Sequence, residues 1–261
     1  MKETRSHASP GAWRAYMAWV YRHLLQRCPA VTPPGRSLKT DLFEEAITPH
    51  HLLPDLGAGS IGVDCSPAIV QAAHERLAAE GNRHLLVVAD LRRLPLKSGT
   101  ISRILSGSSL DHFPGEADLA AGMGELARVL APAGTLIVTL DNPHNPVVWL
   151  RNHLPFGWLN RLRLVPYYVG ATYSQPDAGR RFEALGLTVT GVTAIAHVPR
   201  LCAIWLAAAA ERLGWAPLEI LVEHALDKLE FLERWPTRYQ TGYYLAFRAE
   251  KRTGLPMPET H

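Results

Sequence analysis

Short apolar runs alternate with amphipathic segments along most of the chain. The runs that have the length and composition of strands are Ile61–Asp64, Leu85–Asp90, Ile101–Ser106, Thr135–Leu140, Thr188–His197 and Tyr243–Ala249. Strands that alternate with helices form parallel sheets with helical crossovers, so the pattern predicts a doubly wound α/β fold. Ligands of such folds bind at the carboxyl ends of the strands.

Helical periodicity predicts the intervening segments. The predicted helices are Ala12–Arg27, Ser66–Glu80, Asp118–Leu130 and Gln175–Leu185. Ser66 and Pro67 are a favoured N-cap and first helical residue, and Gly81 is a favoured stop. Pro132 and Gly134 predict a turn before the strand that follows.

The predicted elements suggest one large domain with additions. We expect residues 1–36 to form an N-terminal helix and linker, residues 37–250 a single domain, and residues 251–261 a loose tail. Two segments inside the domain, 142–173 and 200–235, predict cap insertions rich in tryptophan, tyrosine and leucine. Such segments pack on the core, line an apolar substrate pocket or contact a membrane surface.

Composition excludes several classes of protein. Apolar residues make up 47% of the 261 residues, enough for a sizeable core, and the formal net charge is only +3 without a basic cluster, so no nucleic-acid partner is expected. Cys28, Cys65 and Cys202 are far apart, so neither a disulfide framework nor a zinc cluster is predicted. The polar N-terminus lacks the pattern of a signal peptide, and the apolar run from Leu201 to Ala210 is too short to span a bilayer. We expect a cytoplasmic protein.

Four motifs follow one another in the middle of the chain. They occupy Gly62–Pro67, Ala89–Pro95, Ile104–Phe113 and Glu125–Leu136. Their order resembles that of the class I methyltransferase family, and the likeness extends from Ile61 to Thr139. The resemblance implies a Rossmann-like, mostly parallel seven-stranded sheet with helices on both faces, S-adenosylmethionine as the cofactor and a small-molecule acceptor.

The resemblance also implies roles for individual residues. Asp64 would bind the ribose hydroxyls of the cofactor, and Asp90 the adenine amino group, because carboxylates accept hydrogen bonds from such donors. The other interpretation is a helix N-terminal acid for Asp64 and a turn residue for Asp90. The full set of implied cofactor-binding residues is Thr40, Asp41, Asp64, Cys65, Ser66, Asp90, Leu91, Ser106 and Ser108.

The family also requires a first strand followed by a loop that is usually glycine-rich. Asp55-Leu56-Gly57-Ala58-Gly59 looks like that loop, but Asp55 precedes Asp64 by only nine positions. Adjacent parallel strands need a crossover of about a dozen residues or more, so the first strand is predicted at Ser37–Asp41 instead. Leu42–Ala46 then occupies the loop position, and Pro49–Leu56 the first helix.

This assignment leaves the loop without a glycine and with two acids, Glu44 and Glu45. The acids could bind the amino group of the cofactor's methionine part or repel its carboxylate. A protein of this fold that has lost methyl transfer, and serves as a binding or partner subunit, is therefore the alternative function.

A second motif points to another cofactor. Gly57, Gly59 and Gly62 fit the dinucleotide fingerprint of nicotinamide-binding oxidoreductases, which needs a strand before it and a helix within it. The preceding residues make a poor strand because Pro54 lacks a backbone donor. The sequence after Gly62 reads as a strand, so this interpretation is the weaker one.

Candidate catalytic residues follow the fourth strand. Asp111 and His112 lie where the family often places groups that contact the substrate, and a histidine can accept a proton near neutral pH. The alternative is an ordinary polar loop. With the apolar insertions and the aromatic N-terminal helix, these residues predict a methyltransferase that acts on a small lipophilic molecule, with a peripheral membrane contact as a second use of the apolar segments.

Overall fold

We describe a computed structural model of the chain, which covers residues 11–28, 35–107, 109–161, 170–214 and 216–253. The strands are β1 (Arg36–Thr40), β2 (Ile61–Asp64), β3 (Leu85–Val88), β4 (Ile101–Ser106), β5 (Leu130–Asp141), β6 (Leu187–Ile195) and β7 (Tyr244–Lys251). The helices are α1 (Gly11–Arg27), α2 (Phe43–Ile47), α3 (Pro67–Ala79), α4 (Glu116–Val129), α5 (Pro146–His153), α6 (Phe156–Arg161), α7 (Gln175–Ala184), α8 (Arg200–Leu213), α9 (Ala216–Leu229) and α10 (Arg238–Thr241).

The strands form one seven-stranded sheet in the order β3-β2-β1-β4-β5-β7-β6. The first five strands along the chain are parallel, and β7 runs antiparallel between β5 and β6. The predicted fold class is therefore confirmed. Because the chain reverses direction of travel across the sheet at β1, ligands are expected at the carboxyl ends of β1 and β4.

The first strand lies where the crossover argument places it. Leu38 pairs with Ile61 and Thr40 with Val63 in parallel register, so β1 and β2 are neighbours. Residues Pro54–Leu56, which precede the glycines that look like the family's loop, form a 3₁₀ turn and not a strand. The prediction of a first helix at Pro49–Leu56 is wrong, because Pro54 starts only that turn and the short helix α2 occupies the predicted loop instead.

Most strands differ from their predicted limits by one or two residues, and β5 differs by more. β3 ends at Val88, since Asp90 starts a turn in which its carbonyl and its carboxylate accept the backbone N–H groups of Arg93 and Arg92. β5 begins at Leu130, before the predicted turn. The residues of the predicted turn form a β-bulge, because Ile101 of β4 pairs with Leu130 and Arg103 pairs with Thr135.

Helices cover both faces of the sheet. On one face, α4 and α7 contribute Leu119, Met123 and Phe182 to a core with alternate strand residues. On the other face, α1, α3, α8 and α9 pack on Leu105 and Ile137. The predicted N-terminal helix is confirmed, and it is part of this second core, with Trp13, Tyr16 and Leu24 buried.

Candidate functional site

A cavity of about 730 Å³ lies at the carboxyl edge of the sheet, within the range of small-molecule sites. The ends of four parallel strands form its floor, and α1 forms one wall. The residues that line the cavity include Trp13, Arg14, Met17, Tyr21, Asp41, Phe43, Glu44, Asp64, Cys65, Asp90, Leu91, Arg92, His112, Phe113, Arg200 and Tyr244. Predicted site residues from separate motifs are therefore brought into one cavity.

Asp64 ends β2 and faces this cavity. Its Oδ2 accepts the backbone N–H of Leu42 at 3.0 Å, and its Oδ1 accepts the backbone N–H of Ser66 at 2.8 Å. Each carboxylate oxygen can accept a second hydrogen bond. The carboxylate is thus held in place from two sides and keeps acceptor capacity toward the cavity.

Asp90 lies beyond the end of β3, the next strand of the sheet. Arg92 binds its carboxylate through the backbone N–H and the guanidinium, with Nε 3.0 Å from Oδ1. The same guanidinium donates to Asp118 at 2.7 Å and lies over the ring of Phe113, 5.5 Å from its centroid. These contacts with Arg92 lower the pKa of Asp90, so it is ionised at neutral pH.

Asp41 follows β1 in a left-handed conformation, with φ of 70°. Aspartate tolerates this region better than most residues, and here its Oδ1 accepts the N–H of Phe43 at 2.7 Å. Burial raises the pKa of Asp41 to about 6, and neighbouring Asp64 adds to the shift. The positive-φ position of the loop is thus filled by an acid that lines the cavity.

Glu45 faces the interior and not the cavity. Its Oε2 lies 2.8 Å from Nζ of Lys39 on β1, and its Oε1 accepts the N–H groups of Leu52 and Leu53. Both ionised groups are buried, and their attraction lowers the pKa of Glu45 and raises that of Lys39 against the opposing effect of burial. Of the two possibilities raised for the acidic loop, binding or repelling the cofactor, neither involves Glu45 directly, because its carboxylate is buried against Lys39, Leu52 and Leu53.

Glu44 does line the cavity, and α1 supplies its counter-ion. Nη1 of Arg14 donates to both carboxylate oxygens at 2.8 Å, and its guanidinium lies 5.3 Å from the centroid of the Phe43 ring. Arg14 is itself buried. The pair offsets the negative charge that the sequence places in the loop.

A glycine on β2, and not one in the loop, permits the close approach at this point. A Cβ on Gly62 would lie 2.5 Å from Cδ2 of Leu42 and 2.9 Å from Cδ2 of Leu86. Leu42 is fully buried against the strand. A loop without glycine fits because the neighbouring strand leaves room for its first side chain.

The other glycines of the dinucleotide fingerprint lie away from the cavity. Gly57 and Gly59 have positive φ angles of 102° and 71° in the turn that enters β2, at the amino end of that strand. The cavity lies at the carboxyl end, where parallel strands bind ligands. The fingerprint therefore reflects turn geometry and not a dinucleotide site.

Some predicted cofactor residues lie behind the cavity wall. Thr40 and Ser106 are fully buried, and Oγ1 of Thr40 donates to Oγ of Ser106 at 3.0 Å. Ser66 caps α3, where its hydroxyl accepts the N–H of Ile69. Thr40 and Ser106 thus link the ends of β1 and β4, while Ser66 caps a helix. Ser108 lies outside the described residues.

His112 lines the cavity at the end of a 3₁₀ turn after β4, whereas Asp111 is buried behind it. Burial lowers the pKa of His112, so the neutral imidazole prevails at neutral pH. Burial also raises the pKa of Asp111 well above its ordinary value, and the charge of Asp141 adds to this. Both carboxyl oxygens of Asp111 lack a hydrogen-bond partner among the described residues.

Sequence reasoning missed several residues of the cavity. Arg14, Met17 and Tyr21 belong to the helix that was predicted, but nothing in the sequence shows where this helix docks. Tyr21 shares a hydrogen bond of 3.0 Å with Thr139 of β5, which fixes α1 over the sheet. Arg92 could have been found, because it follows Asp90 within the same motif.

Among the residues that the structure describes, the two insertions contribute little to the cavity wall. Of residues 200–235, Arg200 lines the cavity, while Ala203, Ala207 and Val222 pack into the core. Their outer faces expose large apolar side chains, namely Trp149, Trp158, Trp205, Leu206, Leu213 and Leu221. Among the described residues, no helix is both long and apolar enough to cross a membrane. A peripheral membrane contact through these faces stays a prediction.

The sequence matches known methyltransferases in the part of the chain that contains β2, β3, β4 and most of β5. Residues 48–138 match the family described as the methyltransferase domain. The chain is 31% identical over 106 residues to an uncharacterized chloroplastic methyltransferase of Arabidopsis thaliana, covering 38% of this chain and 29% of that protein. It is 33% identical over 90 residues to a demethylmenaquinone methyltransferase of Thermus thermophilus, covering 34% and 39%. The chain thus spans well under half the length of these curated relatives.

The fold is also shared with solved structures. The geranyl diphosphate C-methyltransferase of Streptomyces coelicolor, in complex with S-adenosyl-L-homocysteine, superposes with a TM-score of 0.57 at 15% identity. The superposition covers 88% of this chain and 78% of that protein. At this level of identity the likeness shows the fold alone.

Proposed function

We propose that this chain binds S-adenosylmethionine and transfers its methyl group to a small lipophilic molecule, and the match of residues 48–138 to the methyltransferase domain family supports the proposal. One observation carries the proposal. Asp64 and Asp90, at the ends of neighbouring strands, open into the same cavity as His112. The two carboxylates can accept hydrogen bonds from the ribose and adenine donors of an adenosyl group. His112 follows β4, which lies on the other side of β1 in the sheet.

The acids of the cavity suit the donors and charges of the cofactor. Asp64 accepts hydrogen bonds from the ribose hydroxyls. Asp90, whose two oxygens each accept two hydrogen bonds from Arg92, accepts one from the adenine amino group in place of one of these. Asp41 attracts the α-ammonium of the methionine part. Since Arg14 offsets the charge of Glu44, the loop does not repel the methionine carboxylate.

When bound, the cofactor supplies an electrophilic methyl group on a sulfonium. The protein must then hold the acceptor and remove its proton. Neutral His112 at the cavity wall accepts a proton from a hydroxyl or amine, which a charged imidazolium cannot do. Trp13, Met17 and Phe113 give the cavity an apolar surface for the rest of the acceptor.

Label transfer from the cofactor tests this proposal. The protein is incubated with methyl-deuterated S-adenosylmethionine and fractionated cell extract, and mass spectrometry searches for a labelled product in the apolar fractions. We expect such a product with the wild-type chain. His112→Gln should bind S-adenosylhomocysteine as before and form the product at least about tenfold more slowly. An equal rate in the variant contradicts the role of His112.

The loop from Asp41 to Ala46 favours a second candidate function. It has no glycine, so the backbone cannot approach a ligand as it does in glycine-rich loops. This feature supports a function in which the chain binds the cofactor, or the methyl acceptor, without transferring a methyl group. Binding of S-adenosylhomocysteine without a labelled product in any extract fraction favours this candidate.

A further inference from the structure

Helix α8 carries apolar residues on two of its sides. Ala203, Ala207 and Ala210 recur at the spacing of one helix face and are buried in the second core. A second set recurs at the same spacing on another side and is exposed, namely Cys202, Trp205, Leu206, Ala209 and Leu213. One apolar stripe of α8 therefore packs on the core, and the other one lies in solvent.

Helix α9 extends this exposed surface. Only two residues separate it from α8, and Gly214 between them has the left-handed conformation that often ends a helix. α9 packs on α8 and α1 and buries Val222 and Leu226 in the same core. Its exposed residues therefore lie on the outer side of the helix pair together with those of α8. Five large side chains form what we term the outer face of α8 and α9, namely Trp205, Leu206, Leu213, Ile220 and Leu221.

The outer face is large for an apolar surface in water. Its five side chains are between 50% and 74% exposed. With on the order of 200 Å² for each large apolar side chain, they present about 600 Å² to solvent. Monomeric proteins rarely expose continuous apolar patches of more than a few hundred Å², whereas a stable dimer covers about 800 Å² on each partner. Cys202 and Ala209 add to this area, so the surface has the size that a dimer requires.

The charge of this segment disfavours an anionic membrane as the occupant of the outer face. Residues 200–235 contain six aspartate and glutamate residues but only four arginine and lysine residues. Helices that bind an anionic lipid surface carry an excess of basic residues, which attract the headgroups. The centre of a protein–protein interface, by contrast, is poor in charged residues and rich in aromatic ones. The five uncharged side chains around Trp205 fit this second composition.

We infer that two copies of this chain associate through the outer face of α8 and α9 about a two-fold axis. In a two-fold dimer the same patch of each copy meets its counterpart, so one apolar patch is sufficient. Two helix pairs that pack face to face form a four-helix layer. Trp205 is the expected anchor, because large aromatic side chains carry most of the binding energy of interfaces. None of the five side chains lines the cavity, so association does not depend on methyl transfer.

Sedimentation velocity of the full chain over a range of concentrations tests association. We expect the wild type to reach twice the chain mass of 28.8 kDa at high concentration. Trp205→Ser and Leu213→Ser should each raise the dissociation constant of the dimer at least about tenfold, since both remove apolar area from the interface. Trp158→Ser on α6 is the matched control, because Trp158 is 72% exposed and Trp205 74%. It should leave the constant unchanged.

Alkylation of the cysteines shows which face of the wild-type chain is covered. Cys202 lies on the exposed stripe of α8, Cys65 lines the cavity, and both are exposed. The chain is treated with excess N-ethylmaleimide at increasing protein concentration, and peptide mass spectrometry measures each rate of modification. We expect the rate at Cys202 to fall severalfold as the dimer forms, while the rate at Cys65 stays constant. This measurement needs no variant, so it holds even where a serine variant fails to fold.

Several results would overturn the inference. A wild type that stays monomeric at every concentration contradicts it, as does a dimer that both Trp205→Ser and Leu213→Ser leave unchanged. A rate at Cys202 that does not change on dimerisation places the interface elsewhere. A monomer that co-sediments with neutral phosphatidylcholine vesicles, and loses this binding in Trp205→Ser, assigns the outer face to a membrane and not to a second copy.

Discussion

The ammonium of Lys39 lies 2.8 Å from Oε2 of Glu45, and both side chains are buried beneath the loop that follows β1. The same carboxylate accepts two backbone N–H groups from Leu52 and Leu53. This pair joins the strand, the short helix α2 and the segment after it. It therefore stabilises a loop that contains no glycine.

Removing one partner of this pair should destabilise the fold strongly. Lys39→Met leaves the Glu45 carboxylate buried without its counter-ion, and we expect the free energy of unfolding to fall by about 3–5 kcal/mol. Urea unfolding followed by circular dichroism measures the change. Arg22→Gln breaks the half-exposed pair between Arg22 and Asp55 and serves as the control, with an expected loss below about 1 kcal/mol. Equal losses in the two variants would contradict the structural role of Lys39.

The affinity for S-adenosylmethionine should depend on pH through Asp41. Its pKa is raised to about 6 in the folded protein, so its carboxylate becomes charged as the pH rises through that value. Because the ionised form attracts the α-ammonium of the cofactor, affinity should increase between about pH 5 and pH 7. Calorimetric titrations across this range measure the effect, and Asp41→Asn should remove the dependence.

The stability of the apoprotein should change in the opposite direction. A raised folded pKa means that the protonated acid is the form that favours folding. This contribution is full below the ordinary pKa of about 3.8 and is lost as the pH rises through about 6. Wild-type stability should therefore fall relative to that of Asp41→Asn across this window, and parallel curves would contradict the assignment.

Gly62→Ala should displace Leu42 and, through it, the part of the cavity wall around Asp64. The added Cβ would overlap the Leu42 side chain at 2.5 Å, and Leu42 donates its N–H to Asp64. We expect a loss of stability of about 1–3 kcal/mol, as for other overpacked sites, together with weaker binding of S-adenosylhomocysteine. Thermal unfolding and calorimetry measure the two effects. A variant with wild-type values in both would show that the loop has room to move.

Gly57→Ala separates the two cofactor hypotheses. The φ of 102° strains any side chain there, so stability should fall by about 1 kcal/mol or more. Because Gly57 lies at the opposite end of β2 from the cavity, the affinity for S-adenosylhomocysteine should not change. A large loss of cofactor affinity would instead restore the importance of the glycine motif.

The sequence predicts the sheet better than it predicts the site. The crossover length between Asp41 and Asp64 fixes which segment can be the first strand, because chain geometry allows no shorter connection. Asp64 ends β2 and Asp90 lies just beyond the end of β3, where the motif order predicts them. Docking of α1 over the cavity, by contrast, depends on contacts between residues far apart in the sequence, such as Arg14 with Glu44 and Tyr21 with Thr139.

The sequence does not predict which polar side chains line the cavity and which are buried. Glu44 and Glu45 are adjacent and chemically alike, yet one lines the cavity and the other is fully buried. Thr40 and Asp41 differ in the same way. The local pattern does not determine which side chain faces a ligand when the backbone turns through a positive φ, as it does at Asp41.

Asp64 is the residue on which the proposed adenosyl site depends most. Calorimetric titration of S-adenosylhomocysteine into the wild type, Asp64→Ala and Asp55→Ala tests this directly, because Asp55 is a half-exposed acid in the turn before β2. We predict one binding site in the wild type, an unchanged affinity in Asp55→Ala, and an affinity at least about tenfold lower in Asp64→Ala with its fold intact by circular dichroism. No binding by the wild type, or equal affinity in Asp64→Ala, would contradict the account.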